Sequence, residues 1–336
     1  STKTELLALL AQKEGRYASG QELADTLGVS RNAIWKAVKA LQEQGYAIES
    51  LPSTGYRLRQ KADILTRDAI CEALHVPLKL HLLDKVDSTN NYAKTLPDLS
   101  LPQLVVSEEQ TAGRGRLGRS FYSPAGKGIY MSFAFCPRLE LSQAMLVTTM
   151  TAVAVCRALE SLTGLRPKIK WVNDIYLNEK KLCGILTEAE TNFETGEIQK
   201  IIVGIGINCF EDAAMPPELR EVATFLDKPQ ESFDRNALIA AIANEFFDML
   251  AHFDRAKIVR DYRARSFILG QQILIFNPAI ARAIGRPDNR LSEGIRARAI
   301  DIDETGGLVV EYLEGIKSRQ METLSTGEIT VRKVYD

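Results

Sequence analysis

Histidine is scarce in this 336-residue chain; His75, His81 and His252 are all it has. They stand too far apart for an H-E-x-x-H helix, so that zinc-hydrolase arrangement is excluded. Cysteine is sparse as well. Cys71, Cys136, Cys156, Cys183 and Cys209 are odd in number and never spaced C-x-x-C. That argues against a disulfide framework and against a thiolate zinc site, and no other motif dedicated to a metal is visible. Long apolar runs are missing too. The longest uncharged run, Leu141 to Cys156, includes Ser142, Gln143 and several threonines. It is too short and too polar to span a bilayer and reads as a buried helix. The N-terminus carries no signal-peptide pattern. Charge of one sign is also absent, with 42 Lys+Arg against 43 Asp+Glu. Bulk electrostatics therefore make no general polyanion binder, and any nucleic-acid surface must be local. The expectation is a reduced, cytoplasmic, soluble protein with no membrane partner.

What is present is an ordinary globular balance, 45% hydrophobic and 25% charged, over a length that suggests two or three domains. Three regimes follow one another: short helices plus a hairpin over 1–62, alternating strands and helices over 63–268, and strands with turns over 269–336. No repeats or low-complexity tracts interrupt them. The polar stretch from Arg57 to Asp63 marks the first boundary; the second follows a helix ending near Arg265 and is marked by Gly270.

In the first regime, Lys3 to Leu10 has leucines suited to one buried helix face. Ser19 is a good N-cap with Glu22 three residues on, a capping box, so Gln21 to Leu27 reads as a helix stopped by Gly28. Ser30 caps the next helix, Arg31 to Gln44. Helix, glycine turn, helix, with Ala24, Ile34 and Val38 at the crossing, is the helix-turn-helix pattern. Tyr46–Ser50 and Gly55–Leu58 then read as a hairpin, making the unit winged. The bland alternative is a small packing domain. Against it, the second helix presents Arg31, Asn32, Trp35, Lys36 and Lys39, and the wing adds Arg57 and Arg59. Arg31 and Asn32 would reach base edges, while Lys36, Lys39 and Arg57 would hold phosphates.

The central regime carries three clusters. In Gly113-Arg114-Gly115-Arg116-Leu117-Gly118-Arg119-Ser120 the glycines match G-x-G-x-x-G and nearly match a P-loop. Both need a following helix, and the turn-rich Phe121 to Gly128 cannot supply one. What remains is a glycine loop with three arginines, able to lie against an anion through backbone N–H groups and guanidinium forks; the bland alternative is a solvated basic loop. Lys168 to Glu188 holds two apolar strands around a turn at Asn178-Glu179-Lys180, with Lys181 opening the second. Asn173 and Asp174 are poor strand residues inside an apolar strand, an inconsistency that often marks a site. Asp174 could hold a cation or an amine. Ile201 to Phe210 reads as a buried strand whose Gly204 and Gly206 admit a ligand or another backbone, or form only a bulge. A lid-like loop, Glu211 to Glu218, follows.

Asp87-Ser88-Thr89-Asn90, the Gln110 to Arg119 loop, Lys170-Trp171-Val172-Asn173-Asp174, Lys181 to Leu186, and Gly204 to Asn208, in this order, resemble the biotin–protein ligases. The winged unit in front makes the chain similar to the bifunctional kind, a ligase that also represses biotin genes. The resemblance covers about residues 1–275 and recurs weakly beyond. It implies a multidomain α+β fold: a winged helix-turn-helix, a central mixed-sheet α/β ligase domain like those of biotin and lipoate ligases, and an SH3-like small β-barrel at the C-terminus. It implies ATP-dependent formation of biotinyl-5′-AMP and transfer of biotin to a lysine of a biotin carboxyl carrier protein. Biotin, ATP and Mg2+ would then be bound, and no nucleophile of this chain's own is needed. The resemblance places Ser88, Thr89, Asn90 and Gln110 around biotin. Arg114, Gly115 and Arg116 form the closing loop. Lys181 lies at the carboxylate or α-phosphate, and Asp174 near the incoming amine or the metal. Asn208, Cys209 and Phe210 begin the loop that covers the adenine. It further implies operator DNA as a partner, with biotinyl-5′-AMP as corepressor of a homodimer. Asn277 to Gly294, with Arg282, Arg286 and Arg290, departs from the family's pattern and reads as a surface insertion. A non-catalytic biotin-sensing regulator and a lipoate ligase or acyltransferase remain the alternatives.

Overall fold

In the computed structural model all residues are described except 1, 14, 44–45, 47, 59–63, 98, 138–145, 193, 196, 227–232, 284, 286–292, 326–329 and 334–336. The polar boundary at 59–63, the wing residue Arg59 and residues 284 and 286–292 of the insertion, including Arg286 and Arg290, lie outside the described residues.

At the N-terminus, helices α1 (Thr2–Gln12), α2 (Gly20–Leu27) and α3 (Arg31–Glu43) precede a two-stranded hairpin of β1 (Ile48–Leu51) and β2 (Gly55–Leu58). The capping signals operate as read. Ser19 Oγ accepts from Glu22 N at 3.1 Å, Gly28 takes φ 63° to end α2, and Ser30 Oγ accepts from Ala33 N at 3.2 Å. Leu6, Leu10, Leu23, Ile34, Val38 and Leu41 close a small core of this unit's own.

Seven strands form the central sheet: β3 (Lys79–Val86), β4 (Gln103–Gln110), β5 (Gly128–Phe135), β6 (Lys168–Lys170), β7 (Asp174–Leu177), β8 (Lys180–Thr191) and β9 (Ile198–Asn208). Their spatial order is β3-β4-β5-β9-β8-β7-β6. Only β3 and β4 run parallel; the other neighbours are antiparallel, so the sheet is mixed. Every residue of β5 is buried, because both faces are covered. Short helices α4 (Arg67–Ala73) and α5 (Thr89–Thr95) join the early strands, and α5 packs Ala93 on Val105, Ala134 and Ile202. The opposite face carries α6 (Leu146–Thr163), α8 (Arg235–Ala251) and α9 (Arg255–Arg265), with α7 (Pro217–Val222) between the last strand and α8. Phe133 stacks on Phe246 with ring centroids 4.8 Å apart. α6 is long and apolar enough to cross a membrane by composition, but 67% of it is buried against protein, as expected of a core helix.

One strand expectation fails. Lys168 to Leu177 is not continuous strand: residues 171–173 form a tight turn, so that β6 and β7 pair antiparallel with Lys170 opposite Asp174. Asn173 and Asp174 sit where the backbone turns and enters the next strand, which is where such residues are favoured.

The C-terminal part is a five-stranded antiparallel sheet of β10 (Gln272–Phe276), β11 (Ile295–Ile302), β12 (Leu308–Tyr312), β13 (Met321–Leu324) and β14 (Thr330–Lys333), in the order β13-β12-β11-β10-β14. A short helix, α10 (Pro278–Ala283), occupies the start of the insertion. Hydrophobic packing runs without a break from the central sheet into this one, through Ile268, Ile273, Ile295 and Tyr312.

Candidate active site

A cavity of about 170 Å3 opens on the α5 side of the sheet. Its lining brings together residues expected from the central clusters and from the resemblance: Ser88, Thr89, Asn90, Gln110, Arg114, Gly115, Arg116, Asp174 and Lys181. Four separate chain segments supply them.

Three glycines explain how these segments approach. A Cβ on Gly204 would lie 2.3 Å from Asn90 Oδ1, and one on Gly206 would lie 2.5 Å from Phe121 Cε1. A Cβ on Gly184 would come within 3.3 Å of Lys181 Nζ. The bare backbone at these positions is the floor on which Asn90, Phe121 and Lys181 rest. The close approach expected at Gly204 and Gly206 is thus made by side chains of this chain.

At one end of the cavity lies a neutral polar network. Gln110 Oε1 accepts from Thr89 N at 2.9 Å and from Thr89 Oγ1 at 3.1 Å, and Gln110 Nε2 donates to Ser123 Oγ at 2.9 Å. Ser132 Oγ lies 2.7 Å from both Thr89 Oγ1 and Asn90 Oδ1. Asn90 Nδ2 donates to Glu188 Oε2 at 2.8 Å. Glu188 also pairs with Lys94 at 2.7 Å and with Arg114 at 3.2 Å. Burial works against this carboxylate, but the bonds from Lys94 and Asn90 outweigh it and hold its pKa below the usual range.

The rest of the lining is cationic. Arg114, Arg116, Arg119, Lys170 and Lys181 line the cavity, and Asp174 is the acidic group among the lining residues. Arg116 Nη1 donates to Asn173 Oδ1 at 3.2 Å, and burial draws its pKa down from the free value. Asn173 is itself fixed, giving its Nδ2 to Ile185 O at 2.8 Å while its carbonyl accepts from Ile185 N at 2.9 Å. Lys181 Nζ stands 2.8 Å from Asp174 Oδ1. The loop from Gly113 to Ser120 contains one short 3-10 turn, Arg116–Gly118, followed by non-helical chain. Neither nucleotide-fingerprint reading therefore has its helix.

Asn208, Cys209 and Phe210 do not line this cavity. Cys209 is fully buried, and Phe210 stacks on Phe233 at 5.4 Å beside the buried Arg235. The loop beyond is braced: Tyr122 Oη donates to Asp212 Oδ2 at 2.7 Å and Arg220 Nη2 to Ala213 O at 2.8 Å. Burial and Asp212 push the Tyr122 phenol up to about 12. In the winged unit Arg31, Asn32, Trp35, Lys36 and Lys39 are all exposed along α3. Lys39 Nζ sits 5.0 Å from the Trp35 ring centroid. Arg57 is engaged within the wing, with Nε 2.6 Å from Glu49 Oε2 and its guanidinium 4.7 Å over the Tyr17 ring.

Phe121, Ser132 and Glu188 complete the site although the sequence pointed to no role for them, and Asn173, marked there only beside Asp174, joins them. The signal existed for Asn173, a misfit in a strand; for Phe121 and Ser132 there was none, because an aromatic and a serine are ordinary in such segments.

The model of the Biotin/lipoate A/B protein ligase family matches residues 82–208. An HTH domain model matches 2–57 and the Biotin protein ligase C terminal domain model 290–332. The Bifunctional ligase/repressor BirA of Bacillus spizizenii is 35% identical over 94% of this chain and 95% of its own. The chain belongs to the biotin protein ligase family. Another member, the Bifunctional ligase/repressor BirA of Escherichia coli, is 32% identical over 75% of this chain and 77% of its own. Among solved structures, a biotin protein ligase from Aquifex aeolicus in complex with biotin and ATP superposes with a TM-score of 0.62 at 26% identity. It covers 76% of this chain and 99% of that one. Membership accounts for the three-part order: DNA-reading unit, ligase sheet and C-terminal sheet.

Proposed function

We propose that the protein is an ATP-dependent biotin–protein ligase that also represses transcription through its winged unit. A single observation carries the ligase reading. One cavity joins a hydroxyl–amide network to five cationic side chains, with Arg116 anchored to the strand-turn residue Asn173. An uncharged bicyclic ring with a carboxylate tail suits the network, and a nucleoside triphosphate suits the cations.

In the first step an oxygen of the biotin carboxylate attacks the α-phosphorus of ATP. The P–O bond to pyrophosphate breaks, leaving biotinyl-5′-AMP. Lys181 and Arg116 stabilise the negative charge that grows on the phosphoryl oxygens, and their fixed positions supply this without reorganisation. In the second step a lysine amine of the carrier attacks the acyl carbon and AMP leaves. Asp174, beside Lys181, would take either that amine or the metal ion. Arg114 and Arg116 close the glycine loop over the mixed anhydride and keep water from it. Mg2+ would be carried by the ATP phosphates and would offset their charge; Asp174, a hard oxygen donor facing the cavity, is the residue that would hold it. Asn208, Cys209 and Phe210 root the loop that would cover the adenine.

In the same proposal α3 enters the major groove, with Arg31 and Asn32 on base edges and Lys36 and Lys39 on phosphates. The adenylate is the corepressor, and a homodimer presents two such helices to the two halves of an operator. The unit boundaries at 62 and 268 belong to this reading. The deciding experiment is exchange of labelled pyrophosphate into ATP by the purified protein. Exchange with biotin and none with lipoate supports the ligase. Silence with both, alongside thermal stabilisation by biotin, replaces it with a sensor.

A further inference from the structure

The C-terminal sheet meets the ligase cavity at one turn. Between β11 and β12 the chain reverses over Asp303 to Gly307, and Asp303 closes that turn. Its Oδ1 accepts from Thr305 N and Gly307 N at 2.9 Å each and from Thr305 Oγ1 at 2.7 Å. Gly306 is buried with φ 84°. A Cβ there would stand 2.9 Å from Thr149 Oγ1 and 3.1 Å from Leu146 Cδ2. The turn is therefore pressed flat on α6, and the Gly306 carbonyl has a defined position. That carbonyl accepts from Trp171 Nε1 at 3.0 Å.

Trp171 is 5% exposed and belongs to the cavity lining. It opens the 171–173 turn, whose third residue, Asn173, holds Arg116. The following residue, Asp174, pairs with Lys181. Beside this link runs a second tie between the same parts of the molecule. Tyr262 Oη donates to Val172 O at 3.0 Å, and on the same helix Arg263 Nε donates to Ile302 O at 2.7 Å.

We propose that the Asp303–Gly307 turn positions the ligase centre from outside the central sheet. Asp303 and Gly306 are its positioning residues, and they act through the Trp171 indole on Asn173 and Arg116. This rests on the ligase reading above. The chain of contacts is continuous: a carboxylate shapes the turn, the turn aims one carbonyl, and that carbonyl orients the indole. The indole in turn fixes the turn on which Arg116 is anchored. Arg116 closes the loop over biotin and phosphate and faces the phosphoryl charge, so release of its anchor weakens capture of biotin and slows the chemistry together.

The test is a double-mutant cycle in the full-length protein, read by biotin-dependent pyrophosphate exchange. Trp171→Phe keeps an aromatic ring and removes the N–H donor. The expected result is a KM for biotin raised about threefold to tenfold together with a lowered kcat, the KM change being on the scale of one neutral hydrogen bond. Asp303→Ala raises it by a similar factor in the wild-type background and by nothing further in the Trp171→Phe background. Asp303→Asn, which keeps an acceptor oxygen for the turn, restores the wild-type value. Multiplying effects in the double variant, or an unchanged KM in Trp171→Phe, overturns the proposal. A merely structural role for Asp303 would lower the melting temperature in both backgrounds while leaving KM alone, and that too overturns it. Should Asp303→Ala fail to fold, Trp171→Phe alone decides. A wild-type protein with no exchange refutes the ligase reading itself, a result separate from any of these.

Discussion

Replacing Gly206 by alanine adds one carbon and breaks no hydrogen bond of the sheet, so its consequences follow from space alone. Gly206 lies in β9 between Tyr130 and Gly184, in extended backbone that alanine adopts freely. Its new Cβ would lie 2.5, 2.7 and 2.9 Å from Cε1, Cζ and Cδ1 of Phe121. Carbon contacts settle near 3.5–4.0 Å, so the ring must retreat by roughly 1 Å. It cannot retreat alone. Phe121 N donates to Gly113 O at 2.8 Å, and its ring meets Tyr130 edge-on with centroids 6.5 Å apart. The loop from 113 to 121 moves with it and takes Arg116 away from Asn173, where the bond is already 3.2 Å long. Another ångström takes that contact beyond hydrogen-bond length. Overpacking of this kind costs about 1–3 kcal/mol of stability. Misplacement of a catalytic group by about 1 Å costs up to about 10²-fold in rate. Biotin-dependent pyrophosphate exchange should therefore fall by about 10²-fold in Gly206→Ala, while the protein stays folded by circular dichroism. Phe121→Ala removes the obstacle. Adding Gly206→Ala to that variant should change exchange by less than about twofold, because non-additivity is expected of side chains that touch. Full exchange in Gly206→Ala, or a further large loss in the double variant, would refute the account of the floor.

Lys181→Met removes the ammonium that faces Asp174, and exchange should drop by about 10²–10³-fold, the scale of losing one preorganised charge-stabilising donor; a drop smaller than tenfold in kcat would place Lys181 outside the reaction. Glu188 has a depressed native pKa, so its bonds to Lys94 and Asn90 stabilise the protein fully above the ordinary carboxylate value of 4.5 and are lost as pH falls through the lower native value. Glu188→Gln should thus be less stable than wild type in neutral denaturant titrations, with the gap closing in acid; a gap constant with pH would count against it. Arg235 is fully buried, with Nη2 3.0 Å from Glu108 Oε1 and Nη1 2.8 Å from Gly128 O. Glu108→Gln should cost about 1.5–3 kcal/mol in equilibrium unfolding because it removes a charged acceptor from that buried guanidinium; a loss under about 0.5 kcal/mol would contradict this. In gel-shift titrations Asn32→Ala should weaken operator binding by about 1–3 kcal/mol and leave random DNA unaffected, whereas Lys36→Ala should weaken both and flatten the salt dependence; the reverse pattern would reassign the two residues.

The winged unit was legible because its signals are local. Ser19, Gly28 and Ser30 act within four residues of themselves, and a cap means the same thing whatever lies elsewhere in the chain. The ligase motifs were legible as motifs, and the cavity collects them. Their neighbours were not. Whether Gly206 faces a ligand, a backbone or an aromatic ring depends on Phe121, and that depends on how β9 meets a loop made long before it. The 171–173 turn was misread for a related reason. Apolar residues on both sides give a strand pattern, and only pairing of Lys170 with Asp174 shows that the chain doubles back. The contact of Trp171 with Gly306 spans 135 positions and leaves no trace in either segment's composition.

β9 is the last strand of the central sheet in sequence and yet lies in its middle, between β5 and β8. On the ribosome this makes it a keystone. The β3-β4-β5 half and the β6-β7-β8 half emerge first, each with an open inner edge and no shared hydrogen bonds. Until residue 208 has left the exit tunnel, the halves have nothing to zip onto, and the glycine floor that receives Asn90 and Phe121 does not exist. The substrate cavity is thus a late product of synthesis, closed by long-range pairing after the DNA-reading unit has had time to fold on its own local contacts. A nascent chain stalled before this strand should carry a formed helix-turn-helix and no biotin site at all.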